Sequence, residues 1–182
     1  VDGKVTPLSD PVQFEVAPLH QPTLKGATAD EYMAFSDQLS RVQNQYAAVS
    51  NALNESMDKV NAMMVAMERS DLEPGAMNEE LYQLKQHIYQ LDEQLNGNEA
   101  RSEIGERNPP TVRSRMFVGY RGLSTTYGPT EMHRQSLDLA EKELQGIMKS
   151  VEDLGKSKIP NVEKTLQEAG APYIEGQAIP KN

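Results

Sequence analysis

The stretch that decides the fold is "TADEYMAFSDQLSRVQNQYAAVSNALNESMDKVNAMMVAMERSD", residues 28–71. It begins with Thr28 and Glu31, which have the Thr-x-x-Glu spacing of an N-terminal capping box. Apolar residues then recur at alternating steps of four and three, and only Ser56 interrupts them. This repeat predicts one helix over 29–71, about 64 Å long, in a bundle or coiled coil. The residues of the stripe are Phe35, Leu39, Val42, Tyr46, Val49, Leu53, Val60, Met63 and Met67.

The same spacing returns after Pro74-Gly75 and predicts a second helix over 76–97, antiparallel to the first because the connection is short. A polar loop with several Gly and Pro residues follows, and then a shorter helix over 111–124. Gly128-Pro129-Thr130 predicts a stop and a new N-cap. The residues that carry the second and fourth helices are Met77, Leu81, Leu84, Ile88, Leu91 and Leu95, and then Leu137, Ala140, Leu144, Ile147, Val151 and Leu154.

Pro160 is typical of the first turn of a helix and predicts a separate short helix that ends at Gly170. Four apolar stripes with short links predict a mainly α fold, an up-down antiparallel four-helix-type bundle with one long heptad helix. The first helix is longer than its partners by about three turns. Its spare length, residues 55–71, must therefore pack on 159–173, on a second copy or on a neighbouring domain.

The N-terminal segment has a different pattern. Val12, Phe14 and Val16 alternate with polar residues, which predicts a half-buried strand over 11–17. Asp2-Gly3 favours a hairpin turn, and a hairpin needs a strand on both sides. We therefore expect four parts: a strand remnant over 1–18 whose sheet lies outside this chain, a linker over 19–28, the helical bundle over 29–170 and an extended tail over 171–182.

Composition excludes several classes of function. The net charge of −9 and the pI near 4.9 argue against sequence-independent binding to nucleic acid or to anionic membranes. The absence of cysteine rules out disulfides, Fe–S clusters and thiolate metal sites. No apolar run reaches the ~18 residues that a membrane-spanning helix needs.

The titratable residues show no pattern of a catalytic or metal site. His20, His87 and His133 share no ligand spacing with each other or with nearby carboxylates. The acidic pairs Glu79-Glu80 and Asp92-Glu93 are adjacent on helices, so their side chains diverge by about 100°. The sequence therefore predicts no catalytic, cofactor-binding or metal-binding residue.

Two clusters leave an alternative open. In "RSRMFVGYRG", residues 113–122, three arginines flank Phe117 and Tyr120, as in some nucleic-acid-binding segments. We favour the interpretation that the arginines pair with acidic neighbouring helices and that the aromatic rings fill the bundle. Methionines late in the first helix could form an adaptable docking surface, but core packing is the favoured interpretation. These residues are Met57, Met63, Met64 and Met67.

The order of these segments resembles the C-terminal region of large, mostly bacterial proteins built on a β-propeller of BNR or sortilin-like (VPS10-type) repeats, often labelled glycosyl hydrolase-like. The segments that carry the resemblance are "VDGKVTPLSDPVQFEVAP" (1–18), "EYMAFSDQLSRVQNQYAAVSNAL" (31–53), "LYQLKQHIYQLDEQL" (81–95), "NPPTVRSRMFVGYRGLSTTYGPT" (108–130) and "IPNVEKTLQEAGAP" (159–172). The resemblance implies that the strand over 1–18 is a remnant of a preceding β-sandwich domain of the Ig-like kind and that any catalysis lies in an upstream propeller. It also implies an exported protein, periplasmic or extracellular.

Two hypotheses of function follow. In the first, the chain is a non-catalytic helical accessory domain that supports or spaces the propeller and Ig-like modules of a larger exported protein. In the second, it is a free-standing oligomerisation or adaptor module whose long first helix binds a protein partner or a second copy. Both expect no cofactor, no nucleic acid and no membrane span. An enzyme built in the bundle core would need convergent carboxylates or histidines, and the predicted stripes contain none.

Overall fold

The computed structural model describes residues 3, 9–17, 23–70, 73 and 75–173. These residues form helices and no strand, which confirms the predicted all-α bundle. A five-residue π-helical segment, Leu154–Lys158, joins the last two helices. The α-helices are α1 (Ala29–Glu68), α2 (Ala76–Asn96), α3 (Glu99–Glu103), α4 (Val112–Leu123), α5 (Glu131–Asp153) and α6 (Ile159–Glu168).

Helix α1 begins at the predicted capping box. The Glu31 backbone N–H donates to the Thr28 hydroxyl at 3.2 Å, and the Thr28 N–H donates to the Glu31 carboxylate at 2.8 Å. The helix ends at Glu68, three residues before the predicted end. Its last turn tightens there, because the N–H groups of Arg69 and Ser70 bond to carbonyls only three residues behind.

Helices α5 and α6 form one continuous rod rather than two separate helices. Residues 153, 154, 158 and 159 all keep right-handed helical dihedrals, and the Ile159 N–H bonds to the Leu154 carbonyl five residues behind. Pro160 has no N–H to donate, and its ring conflicts with the carbonyl four residues before it in a regular α-helix. The wider π turn relieves that conflict and lets the helix continue.

The α5–α6 rod runs parallel to α1. The Arg134 guanidinium lies 5.8 Å from the centre of the Phe35 ring, and Gln38 donates to Asp138 and Glu141. Further along both helices, the Lys59 ammonium lies 3.9 Å from the Glu163 carboxylate. The residue numbers at these contacts increase in the same direction along both rods, so the rods are parallel.

Helices α2 and α4 both run opposite to α1 and follow one another along it. Lys85 of α2 bonds to Asn61, and Asn96 bonds to Tyr46. Helix α4 then covers the N-terminal half of α1, where the Tyr32 hydroxyl donates to the Leu123 carbonyl at 3.0 Å. The chain thus forms two long parallel rods and a third, interrupted antiparallel one. The predicted alternation of four directions is wrong, because α4 continues the direction of α2.

Helix α6 covers the C-terminal part of α1 that was expected to be spare. The two helices are in contact, and their apolar residues belong to one buried cluster. No second copy is needed to bury this part of α1. The residues concerned are Val60, Met63 and Met67 on α1 and Ile159, Val162 and Leu166 on α6.

The N-terminal segment differs from its prediction. Residues 11–17 form no strand, and Val12, Phe14 and Val16 are more than 80% exposed. A strand needs a neighbouring strand for its backbone hydrogen bonds, and the described residues offer none. Within the predicted linker 19–28, residues 23–28 lie against the turn before α5, where the Ala27 N–H donates to the Tyr127 carbonyl at 2.8 Å.

We expect Leu144→Ala to lower the free energy of unfolding by about 2–5 kcal/mol, because the side chain is fully buried and its removal leaves a cavity. Leu139→Ala is the matched control on the same helix, since Leu139 is 44% exposed. Urea unfolding followed by circular dichroism measures both. Equal losses of unfolding free energy in the two variants would show that Leu144 is not a core residue.

Candidate functional site

Helix α4 packs closely against α5 at two glycines. A Cβ atom added at Gly122 would lie 2.9 Å from Cγ of His133, and one at Gly119 would lie 3.4 Å from Cβ of Leu137. Both glycines are buried on the inner face of α4, together with Val112 and Met116. The absence of side chains at these two positions allows the two helices to approach closely.

The opposite side of α4 carries an exposed face of two rings and two guanidinium groups, Arg113, Phe117, Tyr120 and Arg121, which we call the aromatic–arginine face. Phe117 is 59% and Tyr120 is 53% exposed, so the prediction that these rings fill the bundle is wrong. Arg121 lies over the Phe117 ring at 5.9 Å. The predicted arginine pairing is confirmed at one position, where Arg115 bonds to Glu143 at 3.0 Å.

A groove of about 720 Å³ lies between this face and α1, where α2 ends. We call it the α1–α4 groove. Its volume is within the range of ordinary ligand-binding clefts, and its walls are largely apolar. The lining residues are Gln43, Tyr46, Asn96, Thr111, Arg113, Ser114, Met116, Phe117, Val118 and Tyr120.

A chain of hydrogen bonds forms the polar end of the groove. The Tyr46 hydroxyl donates to the Asn96 side-chain oxygen, and the Asn96 amide donates to Asp92 at 2.7 Å. Burial raises the pKa of Tyr46; Arg113 opposes this rise and Asp92 adds to it. Tyr46 therefore stays a protonated donor at neutral pH.

The connection between α2 and α4, residues 97–111, forms a second, polar cavity of about 930 Å³ beside the groove. Asn108 holds this connection in place. Its side chain accepts from the Asn98 N–H at 2.9 Å and donates to the Asn98 carbonyl at 3.0 Å. Gly97 allows the sharp exit from α2 with φ of 93°, a conformation that other residues rarely adopt. Asn96 and Arg113 line both cavities.

The two described histidines lie on different helices. His133 is buried, and its Nδ1 accepts from the Thr130 N–H at 3.0 Å at the start of α5. His87 lies on α2 within the electrostatic influence of Lys158 and Asp153. His20 lies outside the described residues. No group of three or more His, Asp or Glu residues with the geometry of a metal site occurs in the described part of the chain.

The acidic pairs also diverge as expected. Asp92 accepts from Asn96, whereas Glu93 lies 3.5 Å from Arg101. Glu79 accepts from Gln83 at 2.6 Å, and its neighbour Glu80 is exposed. Neither pair converges on a common point.

The methionine cluster belongs to the core, as the favoured interpretation predicted. Met63 and Met67 are buried, and Met57 and Met64 are partly buried against the same cluster. The aromatic–arginine face is therefore the feature that the sequence interpretation missed. Its signal was present: Val112, Met116, Gly119 and Leu123 define the inner face of α4, and Phe117 and Tyr120 lie off that face.

Comparisons with protein-family models, with curated proteins and with solved structures give no match to this chain. Among the described residues, no helix combines the length and the apolar character that a membrane crossing requires.

We expect Gly122→Ala to lower the free energy of unfolding by about 1–3 kcal/mol, because its Cβ would overlap the His133 ring. Gly146→Ala is the matched control, a helix-interior position where nothing lies within 4 Å of the added Cβ. Alanine there should raise stability by about 0.5–1 kcal/mol. Thermal unfolding of both variants measures the contrast; a stabilised Gly122→Ala variant would contradict close packing of α4.

Stability should fall as the pH drops below neutral, partly because of His87. Burial of the ring lowers the pKa of His87 below its usual 6.5, Lys158 lowers it further, and Asp153 opposes the shift. The unfolded chain therefore binds this proton more readily. The contribution of His87 to stability is complete above pH 6.5 and is lost as the pH drops towards the folded pKa. Urea midpoints at pH 7.5 and 5.5 should differ less in His87→Gln than in the wild type. An identical pH dependence would exclude His87 as a contributor.

Proposed function

We propose that this chain is a non-catalytic helical accessory domain that supports or spaces the neighbouring modules of a larger exported protein, of the propeller and Ig-like kind that its sequence resembles. The observation that carries the proposal is the parallel course of α1 and the α5–α6 rod. A chain that enters the bundle at Ala29 leaves it at Glu168, at the opposite end. A bundle with this path holds whatever precedes it apart from whatever follows it.

The dimensions favour a spacer. Helix α1 has 40 residues, which correspond to about 60 Å at ~1.5 Å per residue. A four-helix bundle with alternating directions would return the chain to the end where it began, and it would bring its neighbours together instead. The continuous core from Phe35 to Leu166 makes the separation rigid, because it ties both rods along their length.

The buried residues support a non-enzymatic role. In the part of the chain that the structure describes, the buried polar residues are Ser56, Thr111 and His133. Each is satisfied locally: Ser56 donates to the Ala52 carbonyl, Thr111 accepts from Ser114, and His133 accepts from Thr130. These bonds leave no converging set of buried groups to act on a substrate.

Coverage of the C-terminal part of α1 weighs against the alternative of an oligomerisation module. That alternative needed an apolar face on α1 for a second copy, and α6 already contacts the same region. An adaptor role through another surface is compatible with the spacer and needs a separate argument.

An antibody to this chain should detect a band several-fold heavier than 20.2 kDa in the cells or medium of the source organism. The reason is that an accessory domain of this kind is one part of a longer polypeptide. A single band at 20 kDa in unproteolysed samples would contradict the proposal. Sedimentation of the isolated chain should give a monomer, whereas a stable dimer would favour the oligomerisation alternative.

Spin labels test the spacing itself, and the absence of cysteine makes specific labelling simple. Labels at Asp30→Cys and Gln167→Cys should be about 50 Å apart by double electron–electron resonance, given ~1.5 Å per residue along the parallel rods. The control pair Asp30→Cys and Gln135→Cys places the second label near the start of α5, so its distance should be much shorter. Equal distances for the two pairs would exclude the parallel arrangement.

A further inference from the structure

The α1–α4 groove has a charge unlike that of the rest of the chain. The chain has a net charge of −9, yet no carboxylate lines the groove among the described residues, and Arg113 is its only charged side chain. Neither Arg113 nor Arg121 forms an ion pair within the described part of the chain, whereas Arg115 on the same helix is paired with Glu143. Two guanidinium groups of α4 therefore remain available to an external anion.

The same groove exposes an unusual amount of aromatic surface. Phe117 and Tyr120 are three residues apart on α4, and each is more than half exposed. Tyrosine and arginine are among the residue types that contribute most binding energy at protein interfaces. Met116 and Val118 extend the apolar wall. The groove thus combines an apolar floor with positive charge, and both features call for a partner of matching chemistry.

We infer that the α1–α4 groove and the adjoining aromatic–arginine face together bind an acidic peptide segment of another protein, with two carboxylates on Arg113 and Arg121 and an apolar side chain between them against Phe117 and Tyr120. Charge complementarity selects this occupant. The two arginines are eight residues apart on α4, about 12 Å along the axis. In an extended peptide, residues i and i+4 are separated by about 13 Å, and residue i+2 points to the same side.

Nucleic acid fits the groove less well. The polar cavity next to it contains Asp92, Glu93 and Glu99, whose carboxylates repel a phosphate backbone that continues past Arg113. A peptide with one carboxylate on Arg113 and the other on Arg121 instead extends along α4, away from that cavity. A second copy of the chain is also disfavoured, because two molecules with a charge of −9 repel each other. The inference does not depend on the spacer proposal, since it concerns α4 and not the ends of the bundle.

The test uses peptide selection, because the sequence of the partner is unknown. A phage library of random linear dodecapeptides is panned on the full chain. Selected peptides should carry Asp or Glu at two positions about four residues apart, with an aromatic or aliphatic residue between them. The strongest peptide is then synthesised with a fluorescein label, and its affinity is measured by anisotropy.

Arg113→Glu and Phe117→Ala should each lower the affinity for that peptide tenfold or more, because the first reverses the charge and the second removes the apolar contact. Both side chains are exposed, so the fold should survive, and circular dichroism checks this. Arg69→Glu is the matched control. It makes the same charge change at the far end of α1, and affinity should stay within twofold.

Four results would overturn the inference. The selection could enrich no acidic family, or the chosen peptide could bind Arg113→Glu as tightly as the wild type. A labelled single-stranded DNA 20-mer that bound more tightly than the peptide, and lost binding in Arg113→Glu, would assign the groove to nucleic acid. A wild-type dimer that dissociated in Phe117→Ala would assign it to a second copy.

Discussion

The burial of one face of α1 along its whole length is the constraint on which the rest of the structure depends. Its ten buried residues extend from Phe35 to Met67, a distance of about 48 Å at ~1.5 Å per residue. Helices α2 and α4 are each too short to cover that length alone. The fold therefore places α2 against one half of α1 and α4 against the other, while the α5–α6 rod contacts both halves.

The rod can match α1 only if it stays continuous and keeps its apolar face in phase. Its buried residues advance by three or four positions up to Leu154, and the next one is Ile159, five positions later. In a regular α-helix a five-residue step rotates the side chain about 140° away from the face. The π segment absorbs the extra residue, and it accommodates Pro160 in the same turn. One local distortion thus keeps Val162 and Leu166 on the face that covers the end of α1.

Periodicity and capping motifs were enough to locate most of the helices. The Thr28 box and the four–three spacing placed α1, α2 and α4 to within three residues at either end. Helix direction was harder to predict, because spacing describes one helix at a time. Pro160 suits both the first turn of a new helix and a π turn, and only the five-residue step distinguishes them. The alternation over 11–17 likewise shows which side chains would be buried if the segment joined a sheet. It does not show whether a neighbouring strand is present to pair with it.

The candidate site is a consequence of how the third rod is interrupted. A single helix as long as α1 would have covered Tyr46 and Gln43 and left no groove. Instead, α2 ends at Asn96, the connection 97–111 leaves the bundle axis, and α4 begins again at Val112. The groove opens at this break and is lined by the end of α2, the start of α4 and the middle of α1. Gly119 and Gly122 face α5, so the rings of Phe117 and Tyr120 lie on the exposed side of α4, beside the break. The same packing that makes the bundle long therefore also exposes the surface that we assign to a partner.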